Sequence, residues 1–396
     1  MHRVRQIFNA EKLDDVRGAV VREMNRPEIT AKLRPGMNVA VAVGSRGIRN
    51  LQLIVRTVLE EIRRQGAVPF VVSAMGSHGG GTANGQREVL AAYGITEREL
   101  GVPIVCDVGV EKLGETKRGI EIFFDKTALG ADLIVPINRI KLHTDFVADI
   151  QSGLCKMLVI GLGNHRGCSA VHEDSFLTFG DTILEAAQMI LSRIKVGFGV
   201  GILENCYDQT ALVEAIPAER LIEREKQLVK LVPDNMPRLM IPEIDILVVE
   251  EIGKNISGAG YDPNILGKSY ILNEFVLEVP HIQKMVLLDV SPESHGNAIG
   301  MGIFDVVTRK VFDQLDFESI YANAIAVKCL EDAKIPLIAQ NEDEAIRIAF
   351  KSLRGVTSDQ LRIVKIKNTL ELDEIEVSDV LLEVVRANEK MTLLEE

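Results

Sequence analysis

A short apolar run followed by a glycine-rich break and an amphipathic helix constrains the fold of this chain more than any other feature. Asn38–Val43 reads NVAVAV, which is typical of a strand that is buried on both faces. After a break at 44–47 (GSRG), Leu51–Arg64 carries apolar residues with the 3.6-residue period of a helix, and Val68–Ser73 is the next predicted strand. A strand, a helix and a second strand in this order build a parallel sheet with a right-handed crossover.

The same pattern continues to the end of the chain and predicts two domains. Residues 216–242 are rich in proline and charge, and we interpret them as the connection, with a helix at 218–231. The sequence predicts further strands at 104–108, 121–124, 133–137, 196–202, 244–249, 285–290 and 324–327, and helices at 86–92, near 303–314 and at 343–353.

These elements predict the α/β fold class, with two α/β domains that have mainly parallel sheets and an interdomain active-site cleft. We expect residues 1–235 to form an N-terminal domain that carries the catalytic and cofactor-tethering residues. Residues 236–396 are expected to form a C-terminal domain that closes the cleft. A length of 396 residues fits two domains of ordinary size.

Charge and composition exclude several classes of protein. The chain has 45 basic and 57 acidic residues, a net charge of −12, which argues against a nucleic-acid partner. No apolar run approaches the ~20 residues that span a bilayer, and no apolar stretch follows the first arginines, so we expect neither a membrane anchor nor a signal peptide. Five widely spaced cysteines without a Cys-x-x-Cys pair fit a cytoplasmic protein.

Two glycine-rich segments follow predicted strands, where open α/β sheets bind their ligands. In the segment 44–47, Ser45, Arg46 and backbone N–H groups would suit a carboxylate or phosphate, although an ordinary turn with a solvated arginine has the same sequence. In the segment 76–82 (GSHGGGT), His78 stands among four glycines, where core packing does not explain a histidine. We therefore regard His78 as a functional residue.

The densest group of reactive side chains lies at 141–172. His143, His165 and His172 are potential general bases or metal ligands, because imidazole titrates near neutral pH and binds zinc, nickel and iron. Lys156 stands in an apolar stretch, where a lysine becomes nucleophilic. The alternative interpretation is structural, with Lys156 extended along apolar surface and His165 exposed beside Arg166.

A third glycine-rich segment follows the first predicted strand of the second domain. Residues 250–264 contain Lys254 and Asn255 within a turn that is rich in glycine. Cationic residues in a cleft of an acidic protein point to a small anionic substrate.

Taken in order, these segments resemble the nickel-pincer-dependent lactate racemase superfamily of 2-hydroxy-acid racemases and epimerases, of which the chain looks like a divergent member. The resemblance runs from about residue 36 to about residue 310. It implies that His78 and His143 are the two catalytic histidines, that Lys156 tethers the cofactor and that His172, rather than His165, ligates nickel. The positive charge of Arg166 beside His165 is the reason for preferring His172.

The resemblance also assigns residues that contact the cofactor or the substrate. Ser45 and Arg46 match a family segment that contacts bound ligands, and Lys254 and Asn255 occupy the region of a family motif in the second domain. The chain departs from the family pattern at several positions that contact substrate or the cofactor periphery: Val43 replaces an aspartate, Gly79 and Cys155 replace arginines, and the Tyr-Gln-x-x-Lys segment is absent. We infer the same chemistry on a different hydroxy acid.

The implied cofactor is a nickel-bound pyridinium-3,5-bisthiocarboxylic acid mononucleotide, covalently attached to Lys156. The implied activity is that of an isomerase, in which one histidine takes the hydroxyl proton while hydride leaves the α-carbon for the cofactor. The implied partners are a small anionic 2-hydroxy acid and the proteins that synthesise the cofactor. Two alternatives stay open: a nickel-independent hydroxy-acid or sugar-acid dehydratase, and a non-catalytic protein that binds a nucleotide-like cofactor.

Overall fold

A computed structural model of the chain describes residues 1–44 and 47–395. The chain divides into two compact units, which we call the N-terminal unit (Asn9–Asn235) and the C-terminal unit (Met1–Phe8 with Met236–Glu396). The first eight residues, which the sequence prediction assigned to the N-terminal domain, therefore belong to the C-terminal unit. Within the described residues, no helix is both long enough and apolar enough to cross a bilayer.

The strands, in chain order, are β1 (His2–Gln6), β2 (Asn38–Val43), β3 (Val68–Ser73), β4 (Ile104–Val105), β5 (Val110–Glu115), β6 (Glu121–Asp125), β7 (Leu133–Arg139), β8 (Phe198–Glu204), β9 (Thr210–Pro217), β10 (Glu243–Ile252), β11 (His281–Val290), β12 (Val306–Thr308), β13 (Leu337–Ala339), β14 (Ile363–Ile366), β15 (Glu374–Val377) and β16 (Met391–Leu393).

The α-helices are α1 (Val16–Met24), α2 (Pro27–Thr30), α3 (Leu51–Arg64), α4 (Ala83–Ala92), α5 (Glu97–Leu100), α6 (Lys126–Leu129), α7 (Leu154–Lys156), α8 (Asn164–His172), α9 (Phe179–Arg193), α10 (Leu221–Val229), α11 (Pro263–Leu266), α12 (Arg309–Asp313), α13 (Phe317–Ala326), α14 (Glu342–Lys351) and α15 (Leu382–Ala387). A π-helical segment, Met157–Gly161, continues α7. Short 3-10 turns lie at Gly79–Gly81, Ala218–Arg220, Pro233–Asn235, Pro292–Ser294, Met301–Ile303, Leu330–Ala333, Ser358–Gln360 and Asp379–Leu381.

The N-terminal unit is built on a six-stranded sheet in the order β4-β3-β2-β7-β8-β9. All neighbouring strands are parallel except β9, which is antiparallel to β8. Strands β5 and β6 form a separate antiparallel pair. Five of the six residues of β2 are buried, as expected for a central strand covered by helices on both faces. Helix α3 covers one face with the apolar residues of its buried side.

The C-terminal unit is built on an eight-stranded sheet in the order β13-β12-β11-β10-β14-β15-β1-β16. Strands β10 to β14 run parallel to one another. The pairs β14–β15, β15–β1 and β1–β16 are antiparallel. Helix α14 packs with its alanines, Ala345 and Ala349, on the valines and isoleucine of β10, β11 and β12. The predicted fold class, α/β with mainly parallel sheets, is confirmed.

One predicted strand is wrong. Residues 324–327, which read AIAV, lie at the end of helix α13 and in the turn after it. Ile325 in this run is 66% exposed, so the run is not the buried strand that its composition suggested. A short apolar run does not by itself distinguish a buried strand from a piece of helix.

Candidate functional site

The carboxyl ends of β2, β3 and β7 lie side by side at one edge of the N-terminal sheet. Near the end of β2, Val43 pairs with Ser73 of β3 and with Ile137 of β7. On one side of β2 the strands follow the chain outward through β3 to β4. On the other side they follow it outward from β7 through β8 to β9. The strand order therefore reverses between β2 and β7, and open α/β sheets bind ligands at such a switch point.

The segments that the sequence singled out in the N-terminal unit follow these three strands. Ser45 and Arg46 come after β2, but they lie outside the described residues. His78 follows β3, and His143 follows β7. The sheet topology thus places the segments of both predicted catalytic histidines at the same edge, on either side of β2.

His78 is exposed and sits in a loop whose shape requires glycine. Its neighbour Gly79 has a φ of +64°, and a β-carbon there would lie 2.5 Å from the backbone of Gly85. A left-handed backbone and so close an approach leave no room for a side chain. The backbone N–H of His78 donates to the carbonyl of Met75 at 3.1 Å, which fixes the start of the loop.

Hydrogen bonds and a thiol contact connect the loop of His78 to the helical segment that carries Lys156 and His172. The N–H of Gly76 donates to the carbonyl of Gly161, at the end of the π-helical segment, at 3.1 Å. The thiol of Cys168 on α8 contacts Ser77 Oγ at 3.6 Å. From the other side, the buried amide of Gln86 donates to the carbonyl of Gly76 at 3.1 Å. These bonds fix the loop that carries one predicted histidine to the helix that carries the predicted nickel ligand.

A bridge across the next loop places His143. The backbones of Lys141 and Ser152 exchange hydrogen bonds of 2.8 and 3.1 Å, which closes the segment between them. Within this segment the N–H of His143 donates to Oε1 of Gln151 at 2.7 Å. Nδ1 of the imidazole accepts the backbone N–H of Asp145 at 3.0 Å. Both the backbone and the ring of His143 are therefore held by hydrogen bonds.

The remaining ring nitrogen of His143 contacts Lys156. Nε2 lies 2.5 Å from the Nζ atom of Lys156, within hydrogen-bond distance. The His143 ring also packs on Phe146, with 4.3 Å between the ring centroids. The structure thus brings the predicted tethering lysine and one predicted catalytic histidine into direct contact.

A buried carboxyl group fixes the turn that presents Lys156. Oε2 of Glu225, on α10, accepts the backbone N–H of Cys155 at 2.9 Å. Asn138 of β7 donates its side-chain N–H to the carbonyl of Gly153 at 2.9 Å. Burial raises the pKa of Glu225 to about 7, although the N–H groups that face it lower the pKa. The first turn of the helix is therefore anchored to both the sheet and α10.

His172 is oriented by the helix on which it lies. Its Nδ1 is 2.7 Å from the carbonyl oxygen of Cys168, one turn earlier. A carbonyl only accepts, so Nδ1 carries the proton and Nε2 keeps the lone pair that binds a metal. The pKa of His172 is raised: burial lowers it, but the contacts with Cys168 raise it more. The pKa of the Cys168 thiol is lowered, because His172 and Ser77 outweigh the effect of burial.

His165 and Arg166 face other surroundings. The ring of His165 is exposed and lies against Gly81, where an added β-carbon would be 3.0 Å from it. The guanidinium of Arg166 stacks on the ring of Phe123 at 4.3 Å. Neither side chain is oriented by a helix carbonyl in the way that His172 is. The choice of His172 over His165 stays a prediction, and the orientation of His172 supports it.

Aromatic rings connect the two halves of the site. The ring of Phe146, which packs on His143, lies 5.2 Å from the ring of Phe179, and Phe179 lies 5.1 Å from His172. These rings form an apolar wall shared by the histidine that contacts the lysine and the histidine that is oriented for a metal.

Two residues of this region have the chemistry that the predicted nickel-pincer cofactor would need. No group of three or more histidine, cysteine, aspartate or glutamate side chains is arranged around a metal position among residues 1–44 and 47–395. A pincer that chelates nickel through its own atoms needs only one protein ligand and one amine for attachment. His172 offers an open Nε2, and Lys156 offers the amine.

In the C-terminal unit, Lys254 and Asn255 lie in the turn after β10. Nζ of Lys254 donates to the carbonyl of Gly258 at 2.7 Å. Oδ1 of Asn255 accepts the hydroxyl hydrogen of Ser291 at 2.6 Å. Asn255 therefore stabilises the turn that exposes Lys254.

Sequence reasoning missed Glu225 and Asn138. Helix α10 buries positions 221, 225, 228 and 229, and Glu225 is fully buried among them. A glutamate on the apolar face of an amphipathic helix is a signal that the sequence does carry, because a buried carboxyl group needs a partner. Asn138 lies beyond the predicted end of its strand, so only the structure reveals its position.

The chain is similar to known proteins in sequence and in fold. Residues 5–181 match the family model described as the lactate racemase N-terminal domain. The fold is similar to that of the lactate racemase apoprotein from Thermoanaerobacterium thermosaccharolyticum, with a TM-score of 0.58 and 14% sequence identity, over 93% of this chain and 99% of that chain. Among curated proteins, none matches this sequence significantly.

Proposed function

Because the chain is a member of the lactate racemase superfamily, we propose that it is a racemase or epimerase of a small 2-hydroxy acid that acts by proton-coupled hydride transfer. Sequence family and fold support a racemase-type isomerase. The observation that supports hydride transfer with a tethered cofactor is the contact between Lys156 and His143. It places the proposed tethering residue beside a proposed proton-transfer residue.

Two residues would hold the cofactor in the N-terminal unit. When bound, the nickel-pincer nucleotide supplies an electrophilic acceptor for hydride. Lys156 would attach it covalently through Nζ, and Nε2 of His172 would ligate nickel. Imidazole is a ligand that suits nickel, and the fixed Nδ1 proton of His172 keeps the correct nitrogen available.

His78 and His143 would move the hydroxyl proton of the substrate. The two enantiomers present their hydroxyl groups in different directions, so interconversion requires a base for each and an acid for the return step. The two histidines follow β3 and β7, the strands on either side of β2, and would approach one substrate from two sides. Nε2 of His143, the ring nitrogen that faces Lys156, is the atom that would act on the substrate.

Cationic residues would hold the carboxylate of the substrate. Arg46 can bind a carboxylate through two N–H groups, and Ser45 beside it would contact the bound cofactor. Lys254, whose turn Asn255 stabilises, stays a candidate from the sequence for a second positive charge. The proposed partners are therefore a small anionic 2-hydroxy acid and the proteins that synthesise and deliver the cofactor.

The test is to coexpress the chain with the cofactor-biosynthesis proteins and then to measure nickel, intact mass and enantiomer interconversion. We expect about one nickel per chain, an adduct on Lys156 by peptide mapping, and racemisation or epimerisation of at least one acid in a panel of 2-hydroxy acids. The Lys156→Met variant should lose all three properties, whereas Lys141→Met, in the same segment, should keep the adduct.

Other outcomes would identify the alternative functions. Elimination of water from a hydroxy acid without nickel would show a dehydratase. Binding of the cofactor with no turnover of any acid would show a carrier. An adduct on Lys141 in place of Lys156 would contradict the assignment of the tether.

A further inference from the structure

The hydrogen bonds around His143 determine how many protons lie between this ring and Lys156. Nδ1 accepts the backbone N–H of Asp145, so Nδ1 carries no proton of its own. A neutral imidazole has one N–H group, which must then be on Nε2. That N–H points to Nζ of Lys156, 2.5 Å away.

Lys156 must therefore accept a hydrogen bond from His143. An ammonium group has three donors and no acceptor, so a charged Lys156 would place its own proton against the N–H of Nε2. A neutral amine has one lone pair, which is directed to Nε2–H in this geometry. The pair of residues is compatible with a single shared proton, and the amine is the acceptor.

Lys156 would still have to accept a hydrogen bond from Nε2–H if His143 were protonated. A proton on Nδ1 would face the N–H of Asp145, which already occupies that position. The carboxylate of Asp145 does favour a positive imidazole, but its Oδ2 lies 3.9 Å from Nδ1, beyond hydrogen-bond distance. The backbone of Asp145 thus opposes the protonation that its side chain favours.

The surroundings of Lys156 act in the same direction. Lys156 is half-buried between Cys155 and Met157, which are both buried, and burial disfavours an ammonium ion. The backbone that presents the amine is fixed by Glu225 through the N–H of Cys155. The amine therefore stays beside His143.

We propose that His143 holds Lys156 as the neutral amine in the protein before the cofactor is attached, so that Lys156 is a nucleophile at neutral pH. The role of the neutral amine, which is covalent attachment of the cofactor, rests on the proposed function. In attachment to an acyl donor, the Nζ lone pair forms the new N–C bond, the bond to the leaving group breaks, and one proton of Nζ departs with the leaving group.

Attachment would also release His143. An acylated Lys156 presents an N–H group and has no lone pair for Nε2–H, so the hydrogen bond between the two residues ends. Nε2–H could then donate to a ligand bound beside it. The contact that activates the lysine thus lasts only until the cofactor is attached.

The experiment measures the acetylation rate of Lys156 in the unloaded protein at pH 7. Acetic anhydride acetylates only neutral amines and releases acetic acid, and peptide mass spectrometry reports the rate at each lysine. Lys351, an exposed residue of α14, is the internal reference. At pH 7 an ordinary lysine side chain is neutral in about one molecule in a thousand. We therefore expect Lys156 to be acetylated at least tenfold faster than Lys351, although Lys156 is partly buried.

Two variants test the role of His143. His143→Phe keeps a ring against Phe146 and removes Nε2–H, and it should slow acetylation of Lys156 at least tenfold. His165→Phe changes a histidine on the neighbouring helix and should leave the rate within twofold of the wild type. A Lys156 that reacts no faster than Lys351, or a rate that His143→Phe leaves unchanged, would overturn the inference.

A second measurement does not depend on a variant. Nitrogen-15 NMR of the seven histidines should show one ring, absent from the spectrum of His143→Phe, in the Nε2–H form at pH 7. An Nδ1–H form or an imidazolium at this residue would overturn the inference. Neither measurement needs nickel or turnover, so this inference and the proposed function can fail independently. A protein without racemase activity could still have a neutral Lys156, and an active racemase could have a charged Lys156.

Discussion

Gly153 and Glu225 leave no space for another atom between them. A β-carbon on Gly153 would lie 2.3 Å from Oε1 of Glu225, and Glu225 is completely buried. The glutamate cannot move away without losing the N–H of Cys155, which its other oxygen accepts. The position of Lys156, one residue beyond Cys155, therefore depends on a glycine three residues before it.

The first prediction concerns this contact. Gly153→Ala should lower the free energy of unfolding by about 1–3 kcal/mol, the usual cost of an overpacked core. The backbone of Gly153 is extended, so the cost arises from the contact and not from strain. Denaturant unfolding measures the change, and the acetylation rate of Lys156 should change in the same variant. Unaltered stability would show that Glu225 can move.

The second prediction follows from the raised pKa of Glu225. Burial raises the pKa to about 7, so the folded protein binds this proton more tightly than the unfolded chain, in which the pKa is near 4.5. The resulting loss of stability is absent below pH 4.5, grows as the pH rises, and levels off above pH 7.

Glu225→Gln has no such proton and is the variant that isolates this effect. Its stability relative to the wild type should increase between pH 5 and pH 8 by up to about 3 kcal/mol, which corresponds to the raised pKa. Unfolding at several pH values measures the difference. A constant difference between the two proteins would mean that Glu225 titrates normally.

The third prediction concerns the nickel ligand. In protein loaded with cofactor, His172→Ala should reduce nickel to less than a tenth of the wild-type content, because Nε2 of His172 is the nitrogen left open by the bond to Cys168. His165→Ala is the matched control and should retain nickel. Metal analysis and circular dichroism distinguish loss of metal from loss of fold. The reverse pattern would assign the ligand to His165.

The fourth prediction concerns the two catalytic histidines. His78→Ala and His143→Ala should each abolish net interconversion, while each still permits hydride transfer from one enantiomer in a single turnover. The affected half-reaction should slow by about 10²–10⁴-fold, the usual contribution of a general acid–base group. Single-turnover assays with each pure enantiomer measure this. Equal losses for both enantiomers in both variants would argue against two separate bases.

The fifth prediction concerns the loop of His78. Gly79 and Gly80 both have a φ of +64°, but only at Gly79 would a β-carbon meet other atoms. Gly80→Ala should cost about 1–2 kcal/mol for the left-handed backbone, and Gly79→Ala should cost about 1–3 kcal/mol more for the clash with Gly85. The two melting temperatures measure this difference. Equal melting temperatures would show that the loop can shift.

Local patterns explain why much of the sheet was predictable. The apolar run Asn38–Val43 and the periodic helix Leu51–Arg64 have the predicted bounds, because each follows from residues within a single element. Strands β1, β15 and β16 were missed, since β1 pairs with β15 and β16 far away in the chain and since β1 and β15 carry charged residues. Nothing in their local sequence identifies those partners.

The candidate site was predictable only as a set of segments. Glycines, histidines and a lysine after apolar runs identified the loops of His78, His143 and Lys156. The contact between Lys156 and His143 depends on the bridge from Lys141 to Ser152, which closes a loop whose ends have no distinctive sequence. The orientation of His172 depends in the same way on a carbonyl group of the backbone, which every residue possesses.

The place of β1 has a consequence for the synthesis of the chain. Val4 is completely buried, between Ile375 of β15 and Leu393 of β16. β1 leaves the ribosome long before β15 and β16, the two strands that pair with it. Until those strands follow, its edges are unpaired, and unpaired strands are sites of aggregation. A change in the sequence of β1 would therefore act on the sheet that β15 and β16 complete.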